Sequence, residues 1–331
     1  MDAKEISMEI SQFWWTQIPG PRAFCRGIAR QFRESSVCCL SCEFMPWQDA
    51  FRSAVLDRIY ASTGSVLLDL ISQTDMDATP LLSLLAQHLG LQQAVPTLSE
   101  LKNAVPASGL YLWLCHLSAR GLQSALAFQR EAEKIGLPLH LLVECEAAAI
   151  PKAQPAVIRY SAQEMDILYL ALTLLMDEME PSFVEYAAHL LTSLAKGDPL
   201  RMETLFHASR ECLVHPLECA PWLTDVQCAQ AVYNAQIRIL LPLIENVRLQ
   251  LIQSYQSELS RHLPFMDEYL GTYQKPAELE LRHLVYFLRH GDLPMNPRDE
   301  SILNLLYEAR NLLSHIEILP FASVEKLLQM A

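Results

Sequence analysis

The sequence contains little positive charge. Lys and Arg together number 25 against 38 Asp and Glu, which gives a formal net charge of −13. Because binding to a phosphate backbone requires clustered basic side chains, this balance excludes a broad nucleic-acid-binding surface. Any contact with RNA is expected to be local or supplied by a partner. Only seven of the basic residues are Lys, and Arg suits paired and interfacial contacts, which favours a protein partner.

Long apolar runs and a signal peptide are also missing. No stretch reaches the roughly 18 unbroken apolar residues that a membrane-spanning helix needs. The opening residues MDAKEISMEISQ are acidic and polar, whereas a signal peptide begins with basic and then apolar residues. The nine cysteines are odd in number and mostly lie in apolar runs such as CCLSC, which is typical of reduced thiols. These features predict a cytoplasmic protein without a membrane segment.

Apolar residues, in contrast, are abundant. They make up 51% of the chain, and charged residues make up 19%, which excludes disorder. A chain of 331 residues is expected to form two compact units. Five short apolar runs lie in the first half, at residues 36–43, 65–72, 109–117, 137–145 and 156–161. Since helix-length stretches separate them, they predict an α/β domain over residues 1–162, with a parallel doubly wound sheet of about five strands.

The segments on either side of these runs have helical patterns. Residues 1–30 predict two helices separated by a turn at Pro19-Gly20-Pro21, because Pro-Gly-Pro is not expected inside a helix. From residue 163 to residue 331, long apolar stripes at helical spacing predict a helical bundle without strands. The predicted fold class is therefore α/β plus all-α.

The segment after the first predicted strand, CEFMPWQDAF, lacks the groups that bind a nucleotide. A phosphate loop needs glycines, a Lys and a hydroxyl residue, and none of these occurs in the segment. The third apolar run ends in Cys115 and His116 where a magnesium-binding carboxylate would be expected. The order of elements nevertheless resembles the core of P-loop ATPases, including the STAND group. The resemblance implies a degenerate P-loop-like domain without bound nucleotide or hydrolysis, and an unrelated α/β scaffold is the alternative.

One motif near the C-terminus suggests chemistry. Residues 299–320 predict an amphipathic helix with acidic residues at its start and Pro320 as its stop, and this helix carries Arg310, Asn311 and His315. An Arg, a following polar residue and a His four to six positions on, near the end of a helix, resemble the signature of the HEPN superfamily. The resemblance implies that Arg310 and His315 form a catalytic pair oriented by Asn311. It further implies that a homodimer cleaves RNA without a metal or cofactor, with His as acid and base and Arg stabilising phosphate charge.

Helix geometry places a condition on this interpretation. Residues five apart on a helix lie about 140° from each other, so either Arg310 reaches around the helix or the helix loosens before His315. In a purely structural alternative, Arg310 pairs with Glu308, Glu317 or an acid on a facing helix, and Asn311 contacts His315. A second Arg-x4-His pair, at Arg210 and His215, lacks the Asn and is followed by proline, so we treat it as coincidental.

Three other patterns have both a functional and a purely structural interpretation. Cys39 and Cys42 have the spacing of a redox or zinc pair, but a buried strand is the favoured interpretation. His116 is expected to be a packed or rim histidine. The cluster Phe13-Trp14-Trp15 is either a docking surface or, as favoured, a helix packed against the sheet. No metal or cofactor site is predicted.

The sequence thus leads to two functional hypotheses. The first is a HEPN-type RNA-cleaving or RNA-binding protein of an antiviral defence system, with an α/β domain that does not hydrolyse nucleotides. The second is a non-catalytic interaction subunit of a larger complex. Both imply a protein partner or a homodimer.

Overall fold

A computed structural model describes residues 3–41, 45–63, 67–69, 81–91, 97–105, 109–117, 119–145, 158–267 and 271–330. The chain divides into two compact units, Met1–Asp166 and Ile167–Ala331. The boundary falls inside a helix, α7, that spans Glu164–Leu175. The predicted boundary lay a few residues earlier, between residues 162 and 163.

The first unit contains a parallel sheet, and each of the five apolar runs contributes one strand to it. The strand order is β2-β3-β4-β1-β5, and every described pair is parallel. The fifth strand has only two residues, so the sheet consists mainly of the other four. The predicted mixture of α and β structure and the parallel pairing are confirmed. The strands are β1 (Val37–Ser41), β2 (Leu67–Asp69), β3 (Leu110–Leu117), β4 (Leu139–Cys145) and β5 (Ile158–Arg159).

Helices pack on both faces of this sheet, because alternate side chains of a strand point to opposite faces. Leu112 and Leu114 of β3 belong to an apolar cluster that also contains residues of α4, α5 and α6. On the other face, Tyr111 contacts Phe32 of α2 and Trp113 contacts Phe51 of α3, both edge to face. The helices are α1 (Ala3–Thr16), α2 (Pro19–Glu34), α3 (Gln48–Thr63), α4 (Leu81–His88), α5 (Leu98–Ala104) and α6 (Ala119–Lys134).

The prediction of a break between two helices at Pro19-Gly20-Pro21 is wrong, since these residues form the first helical turn of α2. The first N–H groups of a helix have no partner within the helix, so proline loses nothing there. The Gly20 N–H instead donates to the Asp166 carboxylate at 3.0 Å. A Cβ at position 20 would collide with that carboxylate, so the close approach requires glycine.

The aromatic residues of α1 belong to the core of the first unit. Trp14, Trp15 and Ile18 are completely buried. The Trp15 ring lies 5.0 Å from Phe51 and 4.9 Å from Tyr160, measured between centroids. The helix is therefore packed inside the unit, as favoured, and the docking-surface interpretation is wrong.

The second unit is mostly helical, and its longest helix, α12, packs against α8, α15 and α16. The prediction of a region without strands is wrong, because β6 and β7 form an antiparallel hairpin. Each of these strands has three residues, too few for an alternating pattern. The elements are α8 (Pro181–Ala195), α9 (Pro199–His207), α10 (Ser209–Val214), α11 (Pro216–Cys219), α12 (Asp225–Ser254), α13 (Gln256–Ser260), β6 (Phe265–Asp267), β7 (Gly271–Tyr273), a 3-10 turn (Pro276–Glu278), α14 (Leu281–Arg289), α15 (Pro297–Ser314) and α16 (Phe321–Leu328). Within the described ranges, no helix combines the length and apolarity needed to cross a membrane.

Candidate functional site

The predicted site lies on α15, whose start is well defined. The Asn296 side chain accepts a hydrogen bond from the Asp299 N–H at 2.9 Å, and Pro297 occupies the first turn. Asp299 and Glu300 add negative charge near the positive end of the helix dipole. One side of the helix is buried, and its members are Leu303, Leu306, Ala309 and Leu313.

The end of α15 differs from the prediction. The helix was expected to continue to Pro320, but it ends at Ser314. Ile316 adopts a left-handed conformation with φ of 62°, and the Glu317 N–H donates to the Leu312 carbonyl at 2.9 Å. This is the Schellman arrangement that usually has glycine in the left-handed position. A β-branched residue is strained there, and the Ile316 side chain is 70% exposed, so other contacts must hold the turn.

Two side chains of α12 provide such contacts. The Tyr233 hydroxyl donates to the Leu313 carbonyl at 3.0 Å. Gln236 donates to the Leu319 carbonyl and accepts from the Leu319 N–H, both at 2.9 Å. Gln236 is almost fully buried beside Tyr186, whose pKa is raised to about 12 by burial, although the hydrogen bond with Gln236 opposes this shift. The loop from residue 315 to residue 319 is thus held at both ends.

Arg310 is exposed near the end of the helix. Its Nη1 donates to Ser314 Oγ at 3.1 Å, and Ser314 Oγ donates to the Arg310 carbonyl at 2.7 Å. The guanidinium is therefore directed along the helix towards its C-terminal end. The pKa of Glu245 on α12 is lowered chiefly by a hydrogen bond from Arg248, with a smaller effect of the Arg310 charge. In the described part of the chain Arg310 forms no ion pair with Glu308, Glu317 or an acid on a facing helix, and among facing acids only the effect of its charge on Glu245 is seen.

His315 is the first residue beyond the helix, with φ of −96° and ψ of 12°, and its side chain is exposed. Its backbone N–H donates to the carbonyls of Asn311 and Leu312 at 3.1 Å each. Asn311 is half-buried. Among the described residues, neither Asn311 nor Arg310 forms a side-chain hydrogen bond with His315. The helix ends before His315, but the His315 N–H keeps the helical bond to the Asn311 carbonyl, so its backbone stays close to the position of a further helical residue.

The second Arg-x4-His pair has a different setting. Arg210 lies on α10 and donates to the Glu178 carbonyl at 3.5 Å. His215 lies between α10 and α11, where the chain has left one helix and enters the next. No equivalent of the Gln236 and Leu319 contacts is described at His215. The pair therefore serves as a natural control for the C-terminal motif.

The remaining candidate residues from the sequence do not form a site within the described part of the chain. Cys39 is buried in β1, as favoured, whereas Cys42 lies outside the described residues. His116 lies on β3, and its side chain is outside the described part of the structure. The described residues contain no group of three or more His, Cys, Asp or Glu side chains placed to hold a metal ion.

An apolar groove of about 330 Å³ borders the loop that follows His315. Three of its lining residues, Val214, Leu217 and Ile318, are 49%, 44% and 39% exposed. Val214 and Leu217 lie about 100 residues before Ile318 in the sequence, so no local periodic pattern indicated the groove. An exposed apolar surface of this kind is typical of a contact with another molecule.

Comparisons with known proteins do not assign the chain to a family. No protein-family model matches the chain, and no curated protein sequence matches it.

Proposed function

We propose that this chain is a HEPN-type RNA-cleaving or RNA-binding protein of an antiviral defence system, with an α/β unit that does not hydrolyse nucleotides. The observation that carries the proposal is the placement of Arg310 and His315. Both side chains are exposed at the end of one helix, and the helix ends between them. The defence setting comes from the family resemblance.

The chemistry needs only these side chains and the RNA. Histidine exchanges protons in the neutral range, so His315 would take the proton of a ribose 2′-hydroxyl as that oxygen attacks the neighbouring phosphorus. The bond to the 5′-oxygen then breaks, and that oxygen takes up the proton that His315 has accepted, which returns the imidazole to its neutral form. Arg310 would stabilise the negative charge on the five-coordinate phosphate through its planar guanidinium. In the HEPN family a second chain brings another copy of the motif, which is the basis for the proposed homodimer.

The α/β unit supports its part of the proposal through strand order and packing. The order β5-β1-β4-β3-β2 places β1 inside the parallel sheet with strands on both sides of it, and helices on both faces suit a doubly wound fold. In the segment where a phosphate loop would lie, the Trp15 indole N–H donates to the Pro46 carbonyl at 3.1 Å. Trp14 contacts the ring of Trp47, a residue with positive φ. Bulky indoles here support a degenerate domain without bound nucleotide.

The test is RNA cleavage by purified protein in the presence of a metal chelator. We compare the parent with Arg310→Ala and His315→Ala, and use Arg210→Ala and His215→Ala as matched controls. Loss of an acid–base group typically slows such a reaction by about 10² to 10⁴, so each motif variant should lose at least about 100-fold in rate. Replacing the riboses by 2′-deoxyriboses should also stop cleavage. An inactive parent, or motif variants as active as the controls, would overturn the proposal.

The apolar groove favours a second candidate, the non-catalytic interaction subunit. In that case the Arg310 and His315 variants leave RNA and host growth unchanged. Leu217→Asp, which places a charge in the groove, should then reduce the mass of the complex measured by light scattering of affinity-purified material. An unchanged mass would argue against this candidate.

A further inference from the structure

The outward face of α2 carries a row of arginines. Arg22, Arg26, Arg30 and Arg33 are all exposed, and we call these four side chains the α2 arginine ridge. Their spacing of four, four and three residues keeps them within an arc of about 80° and spreads them over about 16 Å of helix. Four of the chain's few basic residues are thus aligned on one helix of an acidic protein.

The opposite face of α2 fixes the orientation of the ridge. Pro21, Cys25, Ile28, Ala29 and Phe32 are buried. Because the apolar face is committed to the core of the first unit, α2 cannot insert that face into a membrane. The arginines are therefore held on a rigid support and point away from the core.

No carboxylate neutralises the ridge among the described residues. None of its four arginines forms an ion pair there, although an exposed acid, Glu34, lies on the same helix four residues after Arg30. The Arg33 Nε donates only to the Ala29 carbonyl, at 3.3 Å. Like charges four apart on a helix repel each other by a few tenths of a kcal/mol. This arrangement costs stability, and a bound polyanion would offset that cost.

The chemistry of the ridge favours phosphates over carboxylates on a protein surface. Successive arginines rise by about 6 Å per four residues, a step comparable to the spacing of phosphates along an extended strand, and guanidinium groups bind phosphate oxygens in pairs. Protein interfaces usually depend on aromatic or apolar anchors. On α2 no large apolar side chain is exposed, and the residues beside the ridge, Ala23 and Gly27, are small.

We propose that the α2 arginine ridge binds the phosphate backbone of RNA without reading its sequence. The choice of RNA as the polyanion rests on the proposed function, whereas binding and cleavage are carried by different residues and can be measured separately. The ridge supplies the local basic surface that an acidic protein needs for contact with RNA.

The experiment measures binding of the full chain to a fluorescently labelled oligouridine by anisotropy, in the His315→Ala background so that the RNA remains intact. Four phosphate contacts predict a slope of about −2.8 for the logarithm of affinity against the logarithm of salt, or a loss of about 50-fold between about 50 and 200 mM. Replacing all four ridge arginines by Gln should weaken binding by on the order of 100-fold at low salt and nearly abolish this slope. Circular dichroism checks that the variant is folded.

The matched control replaces four other exposed arginines by Gln, namely Arg238, Arg261, Arg289 and Arg298. It changes the net charge equally, so retained binding would support a local site. Equal loss in both variants, or no loss in the ridge variant, would overturn the inference. Displacement of the RNA by polyglutamate at equal charge concentration would also overturn it, in favour of an acidic protein partner. Binding without cleavage by the parent would refute only the proposed function, and unchanged RNA binding after loss of the ridge, with cleavage by the parent, would refute only the ridge.

Discussion

Replacing Glu144 by Gln should strongly destabilise the first unit, because Glu144 neutralises a buried arginine. Its carboxylate accepts hydrogen bonds from Arg52 Nε at 3.0 Å and Nη2 at 2.7 Å. The Trp113 indole N–H donates to the same carboxylate at 2.8 Å. The Arg52 and Glu144 side chains are 8% and 2% exposed. The variant keeps the shape of the side chain and removes only its charge.

The expected size of the effect follows from this burial. Removing one member of a buried ion pair costs about 3–5 kcal/mol, out of a total stability of roughly 5–15 kcal/mol. The Arg52 guanidinium would keep its contact with the fully exposed Asp49 carboxylate at 3.4 Å, which water screens. For a unit of this size the midpoint of thermal unfolding should fall by roughly 10 °C. Replacing both partners by apolar residues, Arg52→Met with Glu144→Leu, should restore most of the loss, since an apolar pair avoids the desolvation cost.

Urea unfolding followed by tryptophan fluorescence is a suitable assay. Of the five tryptophans, only Trp222 lies in the second unit, so the signal reports chiefly on the first. The control is Glu131→Gln, which breaks an ion pair with Lys134 whose side chains are 56% and 68% exposed and should cost less than about 1 kcal/mol. If Glu144→Gln costs no more than this control, or if the apolar double variant is no more stable than the single one, the reasoning is refuted.

Three further predictions concern single residues. Gln236→Ala should lower the free energy of unfolding by about 2–4 kcal/mol, since it leaves both backbone groups of Leu319 unpaired, and an unchanged thermal midpoint would contradict this. Ile316→Gly should raise that free energy by about 0.5–1 kcal/mol by relieving the left-handed strain, and a lower midpoint would show that no strain exists. Burial raises the pKa of Cys25 to about 12. In native protein at about pH 8 its thiol should therefore react with iodoacetamide far more slowly than the half-buried Cys219, and equal labelling in a peptide map would argue against that burial.

The strands were predictable because strands buried on both faces are nearly continuous apolar runs. The run at residues 137–145, for example, contains all of β4. The first turn of α2 was missed for a physical reason. The sequence shows that proline breaks a helix interior, but not that a distant carboxylate, that of Asp166, will accept the Gly20 N–H.

The candidate site residues were identified from the sequence, but the structure around them was not predicted. The end of α15 could not be predicted because Ile316 occupies the left-handed position. A glycine at this position would have indicated the end of a helix. The contacts that hold the loop come in part from Gln236, which lies 83 positions before Leu319 in the sequence. Long-range contacts of this kind leave no local pattern. The lining of the apolar groove escaped prediction for the same reason.

The most direct test of the proposed function is the rate of RNA cleavage by the purified full chain in the presence of a metal chelator, measured side by side for the parent and His315→Ala. We expect the parent to cleave RNA and leave 2′,3′-cyclic phosphate ends, and the variant to be slower by at least about 100-fold. Intact RNA with the parent, or equal rates for both proteins, would contradict the assignment of His315 and Arg310 to RNA cleavage.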